Sequence, residues 1–550
     1  MMRTGNATRS PVRTTGRCFV PPFLEEGKAW GITLQLYELR SARNWGVGDF
    51  RDLAELCRAA AAAGADFVGI NPLHALFLAD AARCSPFSPS NRQFLNPLYI
   101  ALDAIDPDAD RLADETALEI VRNAGLVDYP TVAGLKLQAL RTLWESRRPQ
   151  ADRQWDRFLE EGGEDLKRHA LFEALSERMV AVGHGAGWRS WPSPFQDPTS
   201  GAVLRFADQH REAVDFQIWL QYLAAGQLAE VASICRECGM RIGLYLDLAV
   251  GEAMDGSATW SNPDRFVTDM SVGAPPDIFA AEGQDWGVAA LDPDSLARTG
   301  AAHFRQLVAG HMRNAGALRI DHAMALRQLF LIPQGEPPSA GAYSAYPMDA
   351  LVRTLADASI AHSAVVVGED LGNVPEGFRD EMREAGILSY RIFYFEQANG
   401  RFLPAASYPR LALACLSTHD LPTLRGWWAG DDIALRLEHG LIDAEAAAAQ
   451  RENRETERRS LLQLLGLPGD AGLHALASEI HAFLADTPSM LVAVRLADLA
   501  GERRPTNLPG TDEAYPNWRL RLEPTLDELT RSPGWSDVLT RVAEQRPRQR

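Results

Sequence analysis

Three short apolar runs in this sequence each end at a carboxylate. Ala317-Leu318-Arg319-Ile320 leads into Asp321 and His322. Ala364-Val365-Val366-Val367-Gly368 leads into Glu369 and Asp370. Leu411-Ala412-Leu413-Ala414-Cys415-Leu416-Ser417 leads through Thr418 and His419 into Asp420. A parallel strand buried on both faces reads as a continuous apolar run. In a closed barrel of such strands, groups at the C-terminal ends converge on one face, where active sites lie. The spacing between successive acids leaves room for one or two strand–helix units, so the acids belong to different strands around one pocket.

Two carboxyl groups flanking a bond is the arrangement for glycosidic cleavage, and it requires one ionised and one protonated group. Arg319 precedes Asp321 by two residues and shares its strand face. A cation there favours the ionised form, which makes Asp321 the nucleophile. Glu369 ends a very apolar strand, where desolvation raises a carboxyl pKa; it is the general acid. Asp420, with His419, is placed to hold sugar hydroxyls whose contacts tighten in the transition state. On spacing alone, a hard-cation site and structural ion pairs remain alternatives. The sequence carries no HExxH motif and no EF-hand loop.

The elements that must position these acids alternate between strand and helix. Trp30–Tyr37 reads as the first strand, and Asp49 caps an Ala-rich helix over Leu53–Ala63. Asp66–His74 is a second strand with a polar end. The region from about 114 to 238 has apolar spacing of three and four, the mark of a helical insertion. Arg241–Gly251 is the next strand. After it comes a long irregular segment holding Asp277 and Trp286, read as an uncovered functional loop. A helix over Thr299–Asn314 leads into the Asp321 strand. Helices and strands then alternate through Glu369, Leu388–Phe395 and Asp420. A charged helical outer segment at about 432–485 precedes a last strand over Met490–Leu496. With Leu98–Leu102 set aside as an accessory strand, eight parallel strands remain. The expected fold is an α/β chain, a (β/α)8 TIM barrel with helical insertion subdomains, over residues 30–550.

Composition is that of a globular protein, with 46% hydrophobic and 23% charged residues in 550. The formal charge of −18 argues against nucleic acid and anionic membranes, which call for a basic face, and leaves a neutral substrate unopposed. There is no run of 18 apolar residues. Residues 1–29 read as a flexible tail, rich in Arg, Ser and Thr and without an apolar signal core, so a cytoplasmic location is expected. Six scattered cysteines do not make a disulfide framework. Cys235-Arg236-Glu237-Cys238 has redox or half-metal-site spacing, but no second pair completes a zinc site, and it reads as structural.

Several ordered motifs resemble those of the 4-α-glucanotransferases, also called amylomaltases or disproportionating enzymes, of the α-amylase clan. They are Ser85-Pro86-Phe87-Ser88-Pro89-Ser90, Asn96-Pro97-Leu98-Tyr99, Gly273-Ala274-Pro275-Pro276-Asp277 and Gly283-Gln284-Asp285-Trp286-Gly287. Arg319–His322, Gly368–Gly372, Ser417–Asp420 and Asn507-Leu508-Pro509-Gly510-Thr511 complete the set. The resemblance implies a retaining transferase that moves a segment of a 1,4-α-glucan to the 4-hydroxyl of glucose, maltose or another glucan. It implies Asp321 as nucleophile, Glu369 as acid/base and Asp420 as transition-state stabiliser, with no metal or organic cofactor. Its substrate-binding candidates are Arg319, His419, Trp286, Asp277, Phe87, Asn96, His74 and Asn507. The family's Ser-Pro-Tyr is Ser85-Pro86-Phe87 here, which keeps a stacking ring and loses a hydroxyl. Retaining chemistry passes through a covalent intermediate; transfer rather than hydrolysis then needs a cleft that excludes water. A glucan hydrolase or branching enzyme on the same barrel, and a non-catalytic glucan-binding protein, are the alternatives.

Overall fold

The computed structural model describes residues 16–149, 153–276 and 282–548. Its centre is an eight-stranded parallel barrel: β1 Ala29–Leu34, β2 Phe67–Ile70, β3 Gly243–Leu248, β4 Ala317–Ile320, β5 Val365–Gly368, β6 Ser389–Ile392, β7 Ala412–Cys415 and β8 Leu491–Arg495. Each strand pairs in parallel with its sequence neighbour and β8 returns to β1. The seam between β5 and β6 closes through a single bridge, Val367 with Leu388. Every residue of β2, β3, β4, β5, β7 and β8 is buried, as strands enclosed by a ring of helices must be.

The helices follow from their caps and faces. Asp49 accepts from Arg51 and Asp52 backbone N–H groups at the start of helix Phe50–Ala62, whose buried side is Leu53, Leu56, Cys57 and Ala60. These residues recur at three and four, the spacing of one helical face. The stretch expected as a helical insertion carries helices Glu115–Asn123, Tyr129–Arg147, Arg153–Ala181, Gly201–Gln209 and Arg211–Glu237. The last of these packs against Phe50–Ala62 and feeds β3. It is therefore the barrel helix of that unit, with the others built outward from it. Helices Asp431–Glu438, Ala444–Leu465 and Leu473–Asp486 form the outer segment before β8.

Three expectations are corrected. Leu98–Leu102 is not a strand: 3-10 turns occupy Pro97–Tyr99 and Leu102–Ala104, because the Asn96 side chain caps the first and Pro97 has no N–H for a ladder. The segment between β3 and β4 is not an uncovered loop. It supplies strands Glu252–Ala253, Phe266–Ala274 and Gln284–Leu291 to a five-stranded antiparallel sheet completed by Gln328–Pro333 and Ala342–Ala345. The helix expected over Thr299–Asn314 is present as Ala302–Met312, and a short helix, Pro293–Thr299, precedes it, the two parted where Gly300 and Ala301 take left-handed conformations. The expected N-terminal tail is pinned from Cys18, whose N–H donates to the Ala385 carbonyl at 2.8 Å, and Leu24 is fully buried.

Candidate active site

The ends of β3, β4 and β5 form a staircase of carboxylates. Asp247 is in β3. The Asp321 N–H donates to Leu248 O at 3.0 Å, and the Glu369 N–H to Ile320 O at 3.0 Å. Each acid thus sits at the step above its neighbour's last strand residue. Gly368 makes this possible at β5: a Cβ there would come within 2.6 Å of Met382 Cε and 3.0 Å of Ala323 Cβ.

Arg319 joins the first two acids. Its Nη1 contacts both oxygens of Asp247, at 2.7 and 2.9 Å, and its Nη2 lies 2.8 Å from Asp321 Oδ1. The guanidinium is buried and sits over the Tyr390 ring, 5.8 Å from its centre. One planar, permanently charged group held by two carboxylates is a rigid fork. It leaves Asp321 Oδ2 for a reacting atom. Burial raises the Asp247 carboxyl to about 6, against the pull of Arg319 and with the push of the Asp321 charge.

Glu369 is buried and takes two backbone donors: Leu371 N–H on Oε1 at 2.7 Å and His322 N–H on Oε2 at 2.9 Å. The second donor is aimed by a strained turn, since His322 has φ 48°, a left-handed conformation uncommon for a non-glycine residue. Burial pushes the Glu369 carboxyl up to about 7; Arg319 opposes the rise and the Asp321 charge adds to it. The His322 imidazole is itself driven down to about 4 by burial, so it is neutral beside the acids.

Across the barrel mouth, Asp420 lies in the loop after β7. His419 Nε2 is 3.1 Å from Asp420 Oδ2, and Asn507 Nδ2 donates to Oδ1 at 2.7 Å. What burial there is would raise this carboxyl, but the His419 imidazole and the Asn507 amide outweigh it and hold it down to about 2. Arg495, the last residue of β8, fixes the loop by donating to Ser417 Oγ and to the Thr418 and Leu421 carbonyls, while its other nitrogen reaches Thr506 Oγ1. The Phe87 ring stacks on His419, with centroids 4.6 Å apart and planes at 23°. Trp518 lies 5.3 Å from Phe87.

The remaining candidates fall into three groups. Trp286 projects from the antiparallel sheet and meets His322 edge-on at 5.2 Å, its indole N–H donating to Gln284, so the sheet reaches the end of β4. His74 and Asn96 are buried and held by the backbone: Ala249 N–H donates to His74 Nε2 and Leu98 N–H to Asn96 Oδ1. Asp277 lies outside the described residues. Asp247 and Arg495 were not singled out from sequence. Asp247 carried a usable signal, for Leu244-Tyr245-Leu246-Asp247 repeats the apolar-run-to-acid pattern of the other three; Arg495 had none. Among the described residues no cluster of three or more His, Cys, Asp and Glu side chains is arranged to hold a metal ion, and no helix is long and apolar enough to cross a membrane.

The arrangement therefore gathers a carboxylate tied to a guanidinium, a carboxyl raised to about 7 and a carboxylate lowered to about 2 around one mouth, a set of groups that retaining glycosyl chemistry can use. The profile described as 4-alpha-glucanotransferase matches residues 34–527. The 4-alpha-glucanotransferase of Haemophilus influenzae is 36% identical over 92% of this chain and 77% of its own length. That of Mycobacterium tuberculosis is 37% identical over 95% of this chain and 75% of its own. Among solved structures, the amylomaltase of Corynebacterium glutamicum superposes with a TM-score of 0.83 at 31% identity, covering 94% of this chain and 76% of that one. The amylomaltase of Streptococcus agalactiae in complex with acarbose shares the fold, with a TM-score of 0.77 at 18% identity over 95% of this chain and all of that one. The motifs, the strand-end carboxylates and these matches agree, and the chain belongs to the 4-alpha-glucanotransferase family.

Proposed function

We propose that Asp321 Oδ2 attacks the anomeric carbon of a 1,4-α-glucan while Glu369 gives its proton to the departing glycosidic oxygen. The reducing-end fragment leaves with that proton, and the donor segment remains as an ester on Asp321. The 4-hydroxyl of glucose, maltose or a longer glucan then attacks the same carbon. Glu369 takes the hydroxyl proton, and Asp321 departs as a carboxylate. Asp420 and His419 hold hydroxyls of the reacting sugar, with contacts that strengthen as the ring flattens. Phe87 backs His419 and Trp286 covers the donor side.

The observation that carries this reading is the contrast between two neighbouring acids. Asp321 is tied to a guanidinium, and Glu369 is raised to about 7 by burial and by the Asp321 charge. Esterification of Asp321 removes that charge. The Glu369 pKa then falls, so the group that began as an acid becomes the base the second step needs. The two half-reactions thus set each other's protonation state.

Incubation with maltotriose alone tests the reaction. Transfer yields glucose together with maltopentaose and longer chains, and Asp321→Ala and Glu369→Gln each abolish both in folded protein. Shortened products without any lengthened chain point to hydrolysis, and new 1,6 linkages to branching. Substantial turnover in either variant overturns the residue assignments.

A further inference from the structure

Trp518 is a buried aromatic residue with φ 60°. A left-handed backbone is a genuine outlier for so bulky a side chain, and such strain persists only where the surroundings over-determine it. Here they do. The Trp518 N–H donates to Thr506 O at 3.3 Å, and Trp518 O accepts from the Tyr129 hydroxyl at 2.9 Å. On one side, Asn517 is locked by its own side chain, which accepts the Leu508 N–H and donates to Thr511 and Asp512. On the other, Arg519 O accepts the Val127 N–H at 2.7 Å and Arg519 Nε donates to Val127 O at 3.1 Å. With the chain pinned at both ends, the handedness at position 518 decides which way its Cβ leaves the backbone.

The indole so directed meets His419. Its ring centre is 5.5 Å from that of His419 and 5.3 Å from that of Phe87, and Phe87 stacks on His419 at 4.6 Å. His419 lies in a turn beyond β7, so no regular element fixes its side chain, and two rings packed on it do. Held there, its Nε2 is 3.1 Å from Asp420 Oδ2. The backbone of Trp518 reaches the other side of Asp420. Its partner Thr506 precedes Asn507, whose N–H donates to His419 O at 3.1 Å and whose Nδ2 donates to Asp420 Oδ1 at 2.7 Å. Both side chains that hold Asp420 are thus referred to one residue. We propose that Trp518 is a positioning residue for glucan transfer: its indole, with Phe87, holds the His419 ring against Asp420, and its left-handed turn is the device that aims it. This rests on the role given above to Asp420 and His419.

Filling space alone calls for no strained backbone, since an apolar residue in an ordinary conformation would serve. The effect belongs to kcat. Asp420 and His419 tighten on the sugar as its ring flattens, so a loosened alignment raises the barrier and leaves most of the ground-state binding in place.

The test follows maltopentaose formed from maltotriose by variants of the whole protein, each shown to be folded by its urea midpoint. Trp518→Leu keeps apolar bulk, and Trp518→Gly suits the left-handed backbone. Their stability liabilities are opposite, so one serves if the other does not fold. Both should lower kcat about tenfold while KM moves less than about threefold. Trp518→Phe, which retains a ring, should recover most of kcat. In a His419→Ala background either ringless variant should cost less than about twofold more, because the ring it acts through is gone. The proposal is overturned if the ringless variants keep kcat while His419→Ala loses it, if the losses multiply in the double variant, or if kcat follows the urea midpoint rather than the presence of a ring. An unchanged kcat in His419→Ala overturns the role of His419 itself, and this inference with it.

Discussion

Replacing Asp321 with Asn tests whether the charge at Asp321 keeps Glu369 protonated. Carboxyl groups that act as a retaining pair stand about 5–5.5 Å apart. At an effective dielectric of about 20, two charges at that distance interact by about 3 kcal/mol, or about two pH units. The substitution removes a neighbouring negative charge and leaves the Arg319 guanidinium with only Asp247 to satisfy, and both changes favour ionised Glu369. Burial and the two backbone donors are untouched. Glu369 should therefore fall from about 7 to about 5 in Asp321→Asn. Infrared difference titration of the protonated-carboxyl stretch reads this directly, with Glu369→Gln identifying the band. A midpoint that stays near 7, or rises, refutes the charge coupling, and with it the account of how one residue serves as acid and then as base.

Glu369 also sets a stability trade. Its folded pKa of about 7 lies above its ordinary 4.5, so the group's contribution is fully present below pH 4.5 and is lost as pH rises through 7. Glu369→Gln should therefore gain on the unaltered chain by about 2–3 kcal/mol between those limits, read as a difference in urea midpoints at pH 4.5 and 8; equal differences at both pH values would contradict it. Asn507→Ala deletes the amide on Asp420 Oδ1. A hydrogen bond to a charged group is worth about 1.5–3 kcal/mol, so kcat/KM should drop by about tenfold or more, with the acid limb of the pH profile moved upward because Asp420 loses a contact that lowers its pKa. An unchanged acid limb would remove Asp420 from that limb.

Much of the barrel was legible because its strands are buried on both faces, and burial writes itself as unbroken apolar runs such as Val365-Val366-Val367. The antiparallel sheet was not, since half-buried strands leave a weaker trace: Phe266-Val267-Thr268-Asp269-Met270-Ser271-Val272 mixes polar and apolar residues and is flanked by Pro and Gly. Leu98–Leu102 failed the opposite way. It has strand-forming residues, yet Asn96-Pro97 imposes a capped turn that propensity does not register. In the site, Arg319 and Asp321 could be paired from sequence because they lie two apart on one strand. Asp247 could not be joined to them, since it reaches Arg319 across a strand boundary. His74 stands at a strand end like Asp321 and Glu369, but only the three-dimensional structure reveals that its Nε2 is taken by Ala249.

The fork of Arg319 between Asp247 and Asp321 also constrains how this site can diverge. Losing Asp247 leaves a buried cation with half its partners; losing Arg319 leaves two anions facing each other across adjacent strands. Removing one member of a buried charge pair costs about 3–5 kcal/mol, a large fraction of a typical domain's net stability. Single steps at positions 247 and 319 are therefore closed, and only a double replacement, exchanging anion and cation together for neutral groups, leads elsewhere. Such an exchange would also release Asp321 from its anchor. The scaffold that orients Asp321 is thus the part of the mouth least able to drift, and the loop after β7 is tied to it too, since His419 acts on Asp247 and Arg319 on Asp420.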